Sequence, residues 1–94
     1  KPNVHYKGRT IRYHIECKDG SKSTLGVILP TDKPLTFETH VTERIEIVSG
    51  KCLVRIADQE EMEVYSSGES FTVPANSRFS LQSSEVVDYV CHLE

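Results

Sequence analysis

The sequence has no long apolar run, no strong excess of charge of one sign and few cysteines. No segment approaches the roughly 20 apolar residues of a membrane span, and the first residues lack a charged-then-apolar secretion signal, so we expect no membrane association. The formal net charge of −3 gives no basic footprint for a polyanion, since Lys7, Arg9 and Arg12 make only a small basic spot. Nucleic acid is therefore not an expected partner.

The three cysteines, Cys17, Cys52 and Cys91, are odd in number and far apart. They have neither the CxxC spacing of a zinc site nor the density of a disulfide scaffold. We expect them to be small core residues in a protein of the reducing cytoplasm. A cysteine nucleophile is not indicated, because Cys91 and its neighbour His92 should lie on opposite faces of a strand.

The 94 residues, with 37% hydrophobic content, suit one compact domain spanning residues 1–94. Turn signals recur every eight to twelve residues, and the segments between them alternate with a period of two. In the segment from Thr10 to Cys17, Ile11 and the other apolar residues share one face and Arg12 takes the opposite face. The pattern predicts an all-β fold, a single barrel or jelly roll of about eight or nine strands.

Two spaced motifs resemble those of a cupin barrel, also called a double-stranded β-helix, but without its metal histidines. Six residues separate Glu43 from Gly50, and five residues separate Gly68 from Pro74. In the cupin pattern, histidines would stand where this chain has Phe37, Thr39 and Phe79, and none of these is a useful metal ligand. Only Glu43 remains of the four ligand positions, so we predict a cupin fold without a metal. His5, His14 and His92 lie in three distant segments and do not suggest another metal site.

A narrower resemblance covers most of the chain from about Gly26 to the C-terminus. The residues that carry it, in order, are Phe37-Glu38-Thr39, Glu43, Ile47-Val48-Ser49-Gly50, Val64-Tyr65, Gly68, Phe71, Val73-Pro74, Ser77, Phe79, Leu81-Gln82 and Tyr89-Val90-Cys91. Their order and spacing resemble the small single-domain pyrimidine/purine nucleoside phosphorylases. The resemblance implies a cytoplasmic glycosyltransferase of the pentosyltransferase class. Such an enzyme cleaves nucleosides with inorganic phosphate as co-substrate, releases free base and pentose 1-phosphate, tolerates many bases and needs no cofactor.

Glu43 is the candidate catalytic residue for such chemistry. Cleavage of an N-glycosidic bond passes through an oxocarbenium-like sugar, which a carboxylate beneath the ring can stabilise. The same carboxylate could instead accept hydrogen bonds from ribose hydroxyls, or could be an acidic residue at the barrel mouth that pairs with a neighbour such as Arg44. Phe37, Phe79 and Tyr89 are candidate substrate-binding residues that offer aromatic faces to a base, although core packing alone also explains such residues.

Phosphate binding requires cationic or hydroxyl donors. Thr39 should face inward beside Phe37 and is a further candidate for substrate binding. His40 and Arg44 are the candidates for phosphate binding, although strand alternation turns both of them outward. Arg44 would reach a site only at the rim of the barrel or between subunits.

Two other functions are compatible with this sequence. One is a non-catalytic cupin module that binds a small metabolite or serves for dimerisation, since fold does not determine function. The other is a metal-dependent oxygenase or isomerase, which the missing ligands disfavour. We also expect a homodimer, because a second subunit would help so short a chain to bury apolar surface.

Overall fold

The computed structural model describes residues 3–5, 10–16 and 22–94, with side chains described for residues 10–12 and 22–94. This part of the chain contains ten β-strands and no helix. The strands are β1 Asn3–His5, β2 Thr10–Glu16, β3 Lys22–Ile28, β4 Leu35–Glu38, β5 Glu43–Ser49, β6 Lys51–Ile56, β7 Glu63–Ser66, β8 Ser70–Val73, β9 Arg78–Gln82 and β10 Val87–Leu93. The predicted all-β fold is confirmed, with slightly more strands than expected.

The strands form two antiparallel sheets. The larger has six strands in the order β1-β2-β3-β10-β5-β8, and the smaller has four in the order β4-β9-β6-β7. The last strand, β10, lies between β3 and β5 and is antiparallel to both of them. Adjacent strands in the sheets are often distant in sequence. Residues from distant parts of the chain therefore lie around the same core.

Period-two alternation builds the core between the sheets. In β5, Ile45 and Ile47 are buried, whereas Arg44 and Glu46 lie on the outer face. Phe79 and Leu81 are likewise the buried residues of β9. The predicted alternation of these two strands is confirmed, and it places the start of β5, with Glu43, on the inner side.

Two motif glycines are required by the backbone. Gly50 and Gly68 have φ values of 90° and 89°, a region that strongly favours glycine. A Cβ on Gly50 would also lie 2.3 Å from the carbonyl oxygen of Val86. Asn76, in the turn between β8 and β9, has a φ of 55°, which asparagine tolerates better than most residues. The role of these three residues is to allow the backbone conformation of the turns.

The described inward-facing residues of β2 are polar. Thr10 is fully buried and the side chain of Arg12 reaches the interior, so Arg12 lies on the inward face of β2. Ile11 is only partly buried and does not line the cavity, in agreement with its predicted place on the face opposite Arg12. Lys7, Arg9 and Cys17 lie outside the described residues, as do the side chains of His5 and His14. No helix in the described ranges is long and apolar enough to span a bilayer.

Candidate active site

A cavity of about 180 Å³ lies between the two sheets, where β5 begins and β10 ends. Ile28, Ile45 and Leu81 form its buried apolar end. Glu43 and Leu93, a cross-strand pair, lie at the other end, where Leu93 is exposed. The cavity therefore opens beside Glu43. Its walls come from both sheets and include the aromatic residues Phe37, Phe79 and Tyr89, and the polar residues Arg12, Thr24, Glu38 and Cys91.

Glu43 accepts a hydrogen bond from a buried thiol. The Sγ atom of Cys91, on the neighbouring strand β10, lies 3.0 Å from Oε1 of Glu43. Burial, and then the hydrogen bond to Glu43, raise the pKa of the Cys91 thiol to about 12. Cys91 thus remains a protonated donor at neutral pH and is unsuited to act as a nucleophile. Arg44 pairs with Glu94, with 3.4 Å between Nε and Oε1, rather than with Glu43.

Tyr89 is held against the backbone of the adjacent strand. It pairs with Gly26 of β3, and a Cβ on Gly26 would lie only 2.1 Å from Cζ of Tyr89. The missing side chain therefore makes room for the phenol ring. Burial raises the pKa of Tyr89, while the charge of Arg12 and its hydrogen bond to the phenol oppose that rise. The phenol consequently stays protonated and in contact with Arg12.

Phe37 and Phe79 form one aromatic surface. They are a cross-strand pair of β4 and β9, stacked with 5.2 Å between ring centroids and 23° between planes. Phe71 packs edge-on against Phe79 and in turn contacts Tyr65, which extends the cluster away from the cavity. Since Phe37 and Phe79 stack on each other, a flat ligand would contact them from the cavity side and not between them.

Arg12 is the cavity residue that sequence reasoning missed. Its guanidinium carbon lies 5.2 Å from the centroid of the Phe37 ring, over the ring face. Its Nε atom is buried without a hydrogen-bond partner. No signal in the sequence identifies this role, because the alternation of β2 assigns the interior to Ile11.

Thr39, His40 and Arg44 are not among the residues that line this cavity. The Thr39 hydroxyl donates to the Pro74 carbonyl at 2.6 Å and accepts from the Ser77 amide at 3.0 Å. His40 is exposed on the surface, and Arg44 lies on the outer face of β5. The structure thus brings Glu43, Phe37, Phe79 and Tyr89 together and leaves these three residues outside. The ligand-binding roles predicted for them stay predictions.

The residues at the cupin histidine positions do not fit a metal ion. Phe37 and Phe79 have no donor atoms, and the Thr39 hydroxyl is engaged with the backbone. Within the described ranges, no group of three or more His, Cys, Asp or Glu residues is arranged to hold a metal. The side chains of His92 and Cys91 lie on opposite faces of β10, as predicted. The Nε2 atom of His92 lies 3.3 Å from Oε1 of Glu46.

Comparison with known proteins identifies the family. Residues 1–93 match the family described as pyrimidine/purine nucleoside phosphorylase. The chain is 57% identical over 94 residues to the pyrimidine/purine nucleoside phosphorylase of Acinetobacter baumannii, covering 100% of this chain and 87% of that protein. It is 46% identical to pyrimidine/purine nucleoside phosphorylase 1 of Psychrobacter cryohalolentis, covering 97% of this chain and 85% of that protein.

Solved structures agree with this fold. A protein of unknown function from Acinetobacter sp. ADP1 superposes with a TM-score of 0.99 at 57% identity, over 100% of this chain and 90% of that one. The cupin domain of Schizosaccharomyces pombe Cnp3 gives a TM-score of 0.70 at 14% identity, over 98% of this chain and 64% of that one, which shows the fold alone. The chain has a cupin fold and belongs to the pyrimidine/purine nucleoside phosphorylase family.

Proposed function

We propose that this chain catalyses the phosphorolysis of purine and pyrimidine nucleosides. An oxygen of hydrogen phosphate forms a bond to C1′ of the pentose, and the C1′–N bond breaks with its electron pair going to the base. The proton of hydrogen phosphate ends on the base nitrogen, so the products are a neutral free base and pentose 1-phosphate. The observation that carries the proposal is a carboxylate, Glu43, at the mouth of an aromatic-walled cavity in a chain of this family.

Glu43 stabilises the sugar as the glycosidic bond breaks. Positive charge develops on C1′ and the ring oxygen, and a fixed carboxylate in a partly dry cavity lowers the energy of that charge. The protonated Cys91 thiol fixes one carboxylate oxygen through its hydrogen bond and leaves the other oxygen for the substrate. This oxygen can also accept a hydrogen bond from a ribose hydroxyl, which would orient the sugar.

The walls of the cavity suit many bases. Phe37, Phe79 and Tyr89 offer aromatic surface, which every base can contact through its π face. The described lining contains no Asn or Gln, the side chains that read base edges by paired hydrogen bonds. The volume of about 180 Å³ is also below the roughly 300–1,000 Å³ of pockets that enclose drug-sized ligands. Part of a nucleoside would therefore extend out of the cavity through its mouth. The chemical identity of that part would have less effect on binding.

The reaction we propose uses neither a metal nor a covalent intermediate. The aromatic residues at the cupin histidine positions supply no metal ligands, and the raised pKa of Cys91 keeps its thiol protonated. Catalysis then depends on positioning phosphate against C1′ and on the charge of Glu43.

We also propose that the protein is a cytoplasmic homodimer. Cys52 and Cys91 are free thiols, which suits a reducing compartment. Leu25, Val27 and Val90 lie together on the outer face of the six-stranded sheet, and Leu25 is 40% exposed. Pairing of two chains through this face would remove apolar surface from water.

The direct test is release of free base by purified protein. We expect uridine and adenosine both to be cleaved when phosphate is present and to remain intact when it is omitted, as measured by chromatography. Formation of pentose 1-phosphate in equal amount distinguishes phosphorolysis from hydrolysis. Binding of a nucleoside without cleavage would instead indicate a metabolite-binding module, and activity that requires stoichiometric metal would indicate a metal-dependent enzyme.

A further inference from the structure

We infer that Arg12 forms the subsite for the phosphate co-substrate, an oxyanion site inside the cavity that none of the residues predicted from the sequence provides. The inference rests on the proposed phosphorolysis and adds the group that binds its nucleophile. It departs from the expectation that His40 or Arg44 holds phosphate.

Arg12 has more hydrogen-bond donors than the surrounding protein satisfies. A guanidinium carries five N–H donors and binds phosphate oxygens in pairs. The side chain of Arg12 is partly buried, and its Nε atom is buried with no partner. A hydrogen bond joins Arg12 to Tyr89, but no described carboxylate forms an ion pair with it. A partly buried cation without a counter-ion loses some of its hydration, and an anionic ligand would offset that cost.

Competing cations in the described chain are elsewhere. Arg12 is the only Lys, Arg or His among the described residues that line the cavity. Arg44 is paired with Glu94, and Arg78 is paired with Asp58 on the exposed side of β9. Phosphate that enters the cavity therefore meets one described positive charge, that of Arg12, in a lining that also holds the carboxylates of Glu38 and Glu43.

The position of Arg12 relative to Glu43 suits the reaction. Both residues line the same small cavity, yet they form no ion pair with each other. A substrate can thus lie between a cation that holds the nucleophile and a carboxylate that stabilises C1′. The Phe37 ring beneath the guanidinium and the Tyr89 phenol beside it fix the orientation of Arg12 without neutralising its charge.

The test separates saturation by phosphate from saturation by nucleoside. We expect Arg12→Gln to raise the KM for phosphate by about ten- to a hundredfold, the loss expected for a hydrogen bond to a charged group, and the KM for uridine by less than about threefold. The KM for phosphate of Arg12→Lys should lie between those of the wild type and Arg12→Gln, because an ammonium keeps the charge but loses the paired geometry. Arg55→Gln is the matched control, since Arg55 is exposed on β6 and does not line the cavity.

Direct binding of orthophosphate, measured by titration calorimetry without nucleoside, gives a readout independent of turnover. If wild-type protein cleaves no nucleoside but binds phosphate, and Arg12→Gln loses that binding, the proposed function fails and the subsite stands. If the enzyme is active and Arg12→Gln keeps the wild-type KM for phosphate, the subsite is wrong. The same holds if Arg44→Gln raises that KM in its place. Arg12→Lys decides the question if Arg12→Gln does not fold, and a wild-type protein that neither cleaves nucleosides nor binds phosphate contradicts both inferences.

Discussion

At the scale of single residues, Gly26 controls the position of Tyr89. We expect Gly26→Ala to displace the phenol ring, because the new Cβ would lie 2.1 Å from Cζ and 2.4 Å from the phenol oxygen. Overpacking of this kind costs about 1–3 kcal/mol of unfolding free energy, and loss of the Tyr89 contact should also raise the KM for phosphate. Urea unfolding and steady-state kinetics measure the two effects.

Gly68→Ala is the control for this substitution. A Cβ on Gly68 would meet nothing within 4 Å, but the φ of 89° strains any L side chain. It should lower stability and leave both KM values unchanged. Wild-type stability and kinetics in Gly26→Ala would show that Tyr89 does not depend on this contact.

The buried thiols predict a loss of stability at high pH. Burial raises the pKa of Cys52 from 9.0 to about 11 and, with the hydrogen bond to Glu43, that of Cys91 from 9.0 to about 12. Above pH 9 the unfolded chain releases these protons while the folded chain keeps them, so the free energy of unfolding falls as pH rises from about 9 towards 12. Below pH 9 the thiols contribute no pH dependence.

Urea unfolding at about pH 8 and about pH 10.5 measures this effect. The double variant Cys52→Ala, Cys91→Ala should lose less stability between the two pH values than the wild type does, even if it is less stable at both. An equal loss in the two proteins would show that other groups cause the alkaline destabilisation.

At the scale of strands and turns, Thr39 joins the end of β4 to the turn between β8 and β9. Its buried hydroxyl donates to Pro74 and accepts from Ser77. We expect Thr39→Val, which keeps the shape but removes both hydrogen bonds, to lower the free energy of unfolding by about 1–3 kcal/mol. Thr39→Ser keeps the hydroxyl and should lose less. If the two variants are equally stable, the hydroxyl does not hold this turn.

The strands whose faces are predictable from the sequence have one clearly apolar side. In β5 and β9 each inward residue is apolar or belongs to a motif, so the alternation has one solution. In β2 the inward positions include the polar residues Thr10 and Arg12. The apolar face of this strand is therefore the outer one, and the sequence pattern alone does not show which face points inward. Motif spacing located Glu43 and the aromatic residues, whereas the hydrogen bond from Cys91 to Glu43 spans 48 positions and has no local signal.

At the scale of the whole molecule, the site depends on the position of β10 between β3 and β5. This arrangement brings Arg12, Glu43 and Tyr89 around one cavity although they come from distant strands. The pattern of turns and alternation predicts a closed β fold but not which strands are neighbours, because pairing over long sequence separations leaves no periodic trace. The phosphate subsite that we infer at Arg12 therefore could not be predicted from the sequence.

The proposed dimer predicts that Leu25→Lys converts the protein to a monomer. Leu25 is 40% exposed on the outer face of the six-stranded sheet, and a buried lysine charge would oppose pairing there. Light scattering coupled to size-exclusion chromatography measures the mass directly. Leu53→Lys is the matched control, since Leu53 is 38% exposed on the other sheet and should leave the dimer intact. A monomeric wild type, or loss of the dimer only in Leu53→Lys, would contradict this interface.

The measurement that tests the central claim most directly is the turnover of Glu43→Gln at saturating uridine and phosphate. The amide keeps the size of the side chain but cannot stabilise positive charge on the sugar. We predict that kcat falls by at least about a hundredfold, while the urea midpoint of unfolding changes little. A kcat equal to that of the wild type would show that Glu43 has no part in the reaction.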